Sequence, residues 1–163
     1  MSKGKVTAAV LAALLTALGV REGVRYIPYF DGSSDALTVC MGITGPAVIA
    51  GKTYTPEECS ALEQATATKF LSAVYECAGV PLSDQEAVAY GSLSYNIGTA
   101  AFCRSTIVRY LKAGDHVRAC SHITDWHYVA GKDCRDPASN CRGIVRRRQD
   151  EYAQCIDGVN SGQ

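Results

Sequence analysis

Two carboxylates nine residues apart, Glu22 and Asp31, flank the segment Arg21-Glu22-Gly23-Val24-Arg25-Tyr26-Ile27-Pro28-Tyr29-Phe30-Asp31. Cleavage of a glycosidic bond needs two oxygen functions on opposite sides of it. One protonates the departing oxygen and the other activates or positions water. Mostly extended chain between Glu22 and Asp31 would let both face one cleft. The spacing alone is weak, because Asp and Glu are mostly solvated at protein surfaces. The histidines do not suggest a metal centre. His122 and His127 are five apart and do not share a helix face as i,i+4 ligands would. His116, His122 and His127 therefore read as structural or surface residues, and neither metal nor cofactor is expected.

The elements that must position this pair begin with an uncharged run, Val6 to Val20, behind a basic start containing Lys3 and Lys5. As a helix it spans about 22 Å, short of the roughly 30 Å hydrocarbon core of a bilayer. Three readings stay open. It is a cleaved signal peptide, for which Ala17-Leu18-Gly19 is a poor cleavage site. It is an uncleaved signal anchor that keeps Lys3 and Lys5 cytoplasmic and everything from Arg21 onward periplasmic. Or it is a buried alanine-rich helix. The last two are compatible in time, since so weakly apolar a segment could leave the bilayer and pack on the rest.

Strands are expected at Tyr26–Phe30 and Ala36–Met41, joined by a turn through Asp31-Gly32-Ser33-Ser34-Asp35. Thr55-Pro56-Glu57-Glu58 and Ser83-Asp84-Gln85-Glu86 are capping boxes, opening helices to about Cys77 and to Gly98. Ser105 caps a helix ending before Gly114, and Asp115 one reaching about Tyr128. Residues 131–142 read as a loop, followed by a last helix from Gly143 to about Ile156. The expected organisation is an N-terminal segment at 1–20, a small β lobe at 21–54 and a helical lobe at 55–163. That is an α+β layout.

Composition narrows the partners. Sixteen basic and sixteen acidic residues give a formal net charge of zero, so nucleic acid is not an expected partner. The eight cysteines include no CxxC pair, which argues against zinc and for disulfides formed in an oxidising compartment. Eight cysteines allow 105 connectivities. Only Cys134 and Cys141 read as a local pair, and Cys40, near Thr38, is a candidate for a regulatory bridge.

Six stretches in order resemble the phage-type lysozymes, glycoside hydrolase family 24. They are Glu22-Gly23-Val24-Arg25, Pro28-Tyr29-Phe30-Asp31, Leu37-Thr38-Val39-Cys40-Met41-Gly42, Tyr95-Asn96-Ile97-Gly98, residues 126–132 from Trp126 to Lys132, and Gly143 to Arg148 followed by Glu151. The anchor-like start further resembles the signal-arrest-release endolysins. The resemblance implies a lysozyme-like α+β fold and cofactor-free hydrolysis of the β-1,4 bond between N-acetylmuramic acid and N-acetylglucosamine. It makes Glu22 the general acid, Asp31 the second carboxylate and Thr38 the hydroxyl holding the attacking water, with inversion. One of Arg146, Arg147 and Arg148 would pair with Glu22. It also implies a monomer, with peptidoglycan as partner, held transiently in the host inner membrane by residues 6–20 and then freed in the periplasm.

Two departures from the family pattern stand out. Six residues rather than five separate Asp31 from Thr38, and Ile43 replaces a frequent histidine. Trp126, Tyr128 and Tyr95 have two readings, sugar-stacking surfaces or core packing, of which packing is the stronger. The competing functions are a lytic transglycosylase and a non-catalytic secreted protein that binds cell wall.

Overall fold

The computed structural model describes residues 4–32 and 35–162, with backbone alone for residues 20–22. Its first helix, α1 (Ala8–Glu22), is capped by Thr7, whose hydroxyl accepts the Val10 N–H at 3.2 Å. Val10, Leu14 and Leu18 recur every four residues and are fully buried. They meet Ala67, Leu71 and Tyr75 of α2 (Pro56–Ala78) and Ala87 and Val88 of α3 (Asp84–Ile97). Gly91 makes the approach possible. A Cβ there would lie 3.0 Å from Leu14 Cδ2 and 3.1 Å from Leu71 Cδ2, contacts too tight for a packed core. The uncharged run of residues 6–20 is therefore, from Ala8 onward, a packed helix in this structure. Among the described residues no helix is long and apolar enough to cross a membrane.

Both capping boxes form as the sequence predicts, Thr55 with Glu58 and Ser83 with Glu86. α3 is the central helix. Residues Glu86 to Ser94 are buried throughout, because α1, α2, α4 (Thr99–Cys103) and α7 (Arg142–Ser161) all pack on it. Beside it, Tyr90, Leu93 and Phe102 share a core with Ile107 and Leu111 of α5 (Thr106–Lys112), with Ala119 of α6 (His116–Ser121), and with Ile123.

Three expectations needed correction in this region. α6 ends at Ser121, followed by a 3-10 turn at His122–Asp125, so no helix reaches Tyr128. Tyr128–Val129 and Lys132–Asp133 pair as a hairpin, β4 and β5, inside what reads as helix end and loop. Ala130 and Gly131 at its tip have φ of 48° and 77°, the two left-handed residues that a tight hairpin turn requires. The last helix runs on to Ser161, beyond the expected Ile156.

The sheet is antiparallel in the order β1 (Arg25–Phe30), β2 (Leu37–Cys40), β3 (Ile43–Thr44). Four disulfides tie the elements. Cys40–Cys59 joins β2 to α2, Cys77–Cys103 joins α2 to α4, Cys120–Cys155 joins α6 to α7, and Cys134–Cys141 closes a local loop as expected.

Candidate active site

Glu22 is the last residue of α1, and Gly23 ends the helix with a φ of 64°. The Glu22 side chain lies outside the described residues, as does any pairing with an arginine. β1 starts two residues after Gly23, and Asp31 is the first residue beyond its end. Asp31 is exposed.

Thr38 sits in β2 directly opposite Tyr29 and is 2% exposed, and its Oγ1 has no hydrogen-bond partner among the described residues. Buried hydroxyls are normally bonded; among the described residues Thr38 Oγ1 shares this state with Ser94 Oγ of α3. Cross-strand partners share a face of the sheet and residues two apart along a strand do too. Asp31, two past Tyr29, therefore has the strand parity of Thr38. The pairing Phe30↔Leu37 closes the hairpin, leaving residues 31–36 as its loop. The irregularity in the ladder is within β1. Four steps from Arg25 to Tyr29 answer two steps from Cys40 to Thr38, which is a bulge that bends the strand.

The turn after β2 is held by helices. Met41 donates its N–H to Glu63 Oε1 of α2 at 3.2 Å and accepts the Tyr95 hydroxyl of α3 at 2.5 Å. Burial pushes the Glu63 carboxyl up from its ordinary pKa, and the Met41 N–H partly offsets this. The Tyr95 ring also packs on Phe70, with ring centroids 5.2 Å apart.

α3 also carries a buried polar cluster. Arg147, Arg148 and Glu151 of α7 are nearly inaccessible. Glu151 accepts from Ser92 Oγ at 2.6 Å, from Arg147 Nε at 3.2 Å and from Arg148 Nη1. Arg147 also donates to the Ser92 carbonyl at 3.2 Å, and Arg148 to the Trp126 carbonyl at 2.8 Å and to Asn96 Oδ1. Arg146, by contrast, is exposed. Lone buried charges are costly, so the first half of α7 docks by mutual pairing, while further along the helix Cys155, Ile156 and Val159 pack into the apolar core.

Each histidine has a polar partner. His116 donates to Glu86 Oε1 at 2.5 Å, His122 pairs with Asp125 at 2.6 Å while stacking on Tyr110, and His127 donates to the Thr124 carbonyl at 2.7 Å. Cys40, Cys59 and Glu63 form a close donor group, but both sulfurs are consumed by the disulfide and offer no thiolate. A cleft of about 600 Å³ is lined by Arg104, Ser105, His122, Asp125, Trp126 and Tyr128. Trp126 is half-buried against the helical core, whereas Tyr128 is 58% exposed on its hairpin and is not a core residue.

Sequence reasoning missed Glu63, Ser92 and the docking role of Glu151. No local pattern marks them, because their partners are distant in the chain.

A helix leading into a short bulged sheet and a helical body around α3 make an α+β fold of the lysozyme kind. The phage lysozyme family model matches residues 20–151, and the chain belongs to that family; it is a glycoside hydrolase acting on peptidoglycan. It is 34% identical over 153 residues to the SAR-endolysin of Bacteriophage PS119, covering 92% of this chain and 87% of that protein. Among solved structures it resembles a variant of P22 lysozyme at 29% identity and a TM-score of 0.72, over 94% of this chain and 99% of the other. The active form of the P1 phage endolysin Lyz has the same fold, with a TM-score of 0.76 at 22% identity over 96% of this chain and 97% of that one.

Proposed function

We propose that this chain is an endolysin that cuts the β-1,4 bond between N-acetylmuramic acid and N-acetylglucosamine, with Glu22 as general acid. Glu22 protonates the departing oxygen. Asp31 stays ionised on the opposite side and, with the Thr38 hydroxyl, holds the water that attacks with inversion. For this the two carboxyls need different surroundings, the acid desolvated enough to keep its proton near neutral pH and the base solvated. The observation that carries the reading is the buried Thr38 hydroxyl, without a partner among the described residues, paired in register with β1, the strand that lies between Glu22 and Asp31 in the chain.

The uncharged run of residues 6–20 anchors the exported chain in the host inner membrane before release into the periplasm, and the enzyme works as a monomer. The similarity to SAR-endolysins supports the anchoring. While α1 lies in the bilayer, Val10, Leu14 and Leu18 are absent from the core and Glu22 is pinned at the membrane surface. The anchored form is inactive, and it becomes active when α1 packs between α2 and α3.

Two measurements test this function. Products from purified peptidoglycan are read by proton NMR in the first seconds and by mass spectrometry. Newly formed α-anomeric reducing ends are expected; products lighter by one water would instead make the enzyme a lytic transglycosylase. Membrane-pelleted, uncleaved protein should digest cell wall far more slowly than soluble protein, and equal rates would refute control by the anchor.

A further inference from the structure

We propose that Glu63 and Tyr95 are positioning residues for the glycosidase centre, acting by clamping the main chain of Met41. The proposal deepens the reading of Glu22 and Thr38 given above and rests on it.

Met41 is three residues past Thr38 and is 7% exposed. Its N–H goes to a side chain of α2 and its carbonyl to a side chain of α3. Its sulfur faces α1, where a Cβ on Gly19 would lie 3.4 Å from Sδ. Gly19 is three residues before Glu22 on the same helix. The neighbouring Cys40 is bridged to Cys59, one helical turn before Glu63 on α2. The dipeptide Cys40-Met41 is thus bonded to α2 and α3 and lies against α1.

Its backbone conformation also shows constraint. Cys40 has a φ of 57°, a left-handed conformation that non-glycine residues hold only where the surroundings over-determine it. The clamp employs a carboxylate where an amide would be less costly to bury. Glu63 is part-buried, and its burial disfavours the charged form. Either group can accept the Met41 N–H, so the bond and not the charge is the working part. Tyr95 has a similar division: its ring packs on Phe70 and only its hydroxyl reaches Met41.

The separation of the Thr38 hydroxyl from the end of α1 is then set through Met41. Sub-ångström placement matters in catalysis, where a misplacement of about 1 Å costs roughly a hundredfold in rate. Glycan binding spreads over many contacts and should scarcely sense the clamp. Its loss should therefore appear in kcat and leave KM alone.

The test uses full-length soluble enzyme on solubilised, uncrosslinked glycan strands, well below the melting temperature of every variant. Tyr95→Phe and Glu63→Leu should each lower kcat about tenfold with KM changed less than about twofold. Glu63→Gln, which keeps the acceptor, should stay within about twofold of the parent enzyme. Exchange of the Met41 amide proton should quicken in Glu63→Leu and not in Glu63→Gln. Unchanged kcat in Tyr95→Phe and Glu63→Leu, with only the melting temperature lowered, would reduce the clamp to a structural tie. A Glu63→Gln variant as impaired as Glu63→Leu would show that charge matters instead, and would equally overturn the proposal. Glu22→Gln is run alongside. If it stays active, the site reading fails and takes the clamp with it. If it is inactive while Tyr95→Phe is unimpaired, the clamp alone fails.

Discussion

Thr38 offers a sharp distinction at the scale of single residues. A buried hydroxyl with no partner costs about 1–3 kcal/mol of desolvation, and Thr38 Oγ1 has none among the described residues. Thr38→Val keeps the shape and removes that cost, so the melting temperature should hold or rise. If the hydroxyl positions the attacking water, the same variant should lose about tenfold or more in kcat. Calorimetry and a reducing-end assay on one preparation check both, and full activity in the Thr38→Val enzyme would remove this hydroxyl from the mechanism. Glu22, Asp31 and Thr38 are nominated by motif order in the sequence. The clamp residues Glu63 and Tyr95 were not legible there, because their hydrogen bonds to Met41 span 22 and 54 positions and no local pattern encodes them. The basic run at 146–148 was legible only as an ambiguity. Burial of Arg147 and Arg148 depends on Ser92, Asn96 and the Trp126 carbonyl, three groups outside that helix.

Among the elements, α1 carries the most consequence. Leu14 is fully buried against α2 and α3, while Thr16 is exposed. Leu14→Ala should cost about 2–5 kcal/mol in urea unfolding. Thr16→Ala should stay within about 0.5 kcal/mol. Comparable losses from both would mean that α1 is not seated in the core in solution. The start of α2 has a pH signature. Lys52 and then the Thr55 N–H hold the Glu58 carboxyl below its ordinary 4.5. A lowered folded pKa means that the stabilisation is present above pH 4.5 and is lost as pH falls through the lower folded value. The Glu58 amide should titrate by NMR in that window, and not in Glu58→Gln. The Asp133 carboxyl, held down to about 2 by Arg135, should keep its ion pair until pH approaches that value. The helices opened by capping boxes at Thr55 and Ser83 were readable because a cap is a local device. The end of α6 was not, since Trp126-His127-Tyr128 is compatible with either helix or strand. The left-handed pair Ala130-Gly131 decides for a hairpin.

At the scale of the whole molecule, the disulfides hold sheet and helices together. In the chain-entropy account, the bridge closing 35 residues, Cys120–Cys155, is worth about 4 kcal/mol. The bridge closing 7 residues, Cys134–Cys141, is worth about 2 kcal/mol. Paired Cys→Ser variants in denaturant titrations should rank in that order, and a reversed order would assign the stability to native packing instead. The presence of disulfides was readable from cysteine count and spacing, whereas three of the four pairings depend on which elements meet, β2 with α2, α2 with α4 and α6 with α7. The central claim is that peptidoglycan cleavage depends on the proton of Glu22. Its most direct test measures reducing ends released from purified peptidoglycan by the parent enzyme, Glu22→Gln and Asp31→Asn, after confirming equal melting temperatures. Glu22→Gln is expected to lose about a hundredfold or more, with Asp31→Asn also impaired. Full activity in a folded Glu22→Gln enzyme would contradict the account.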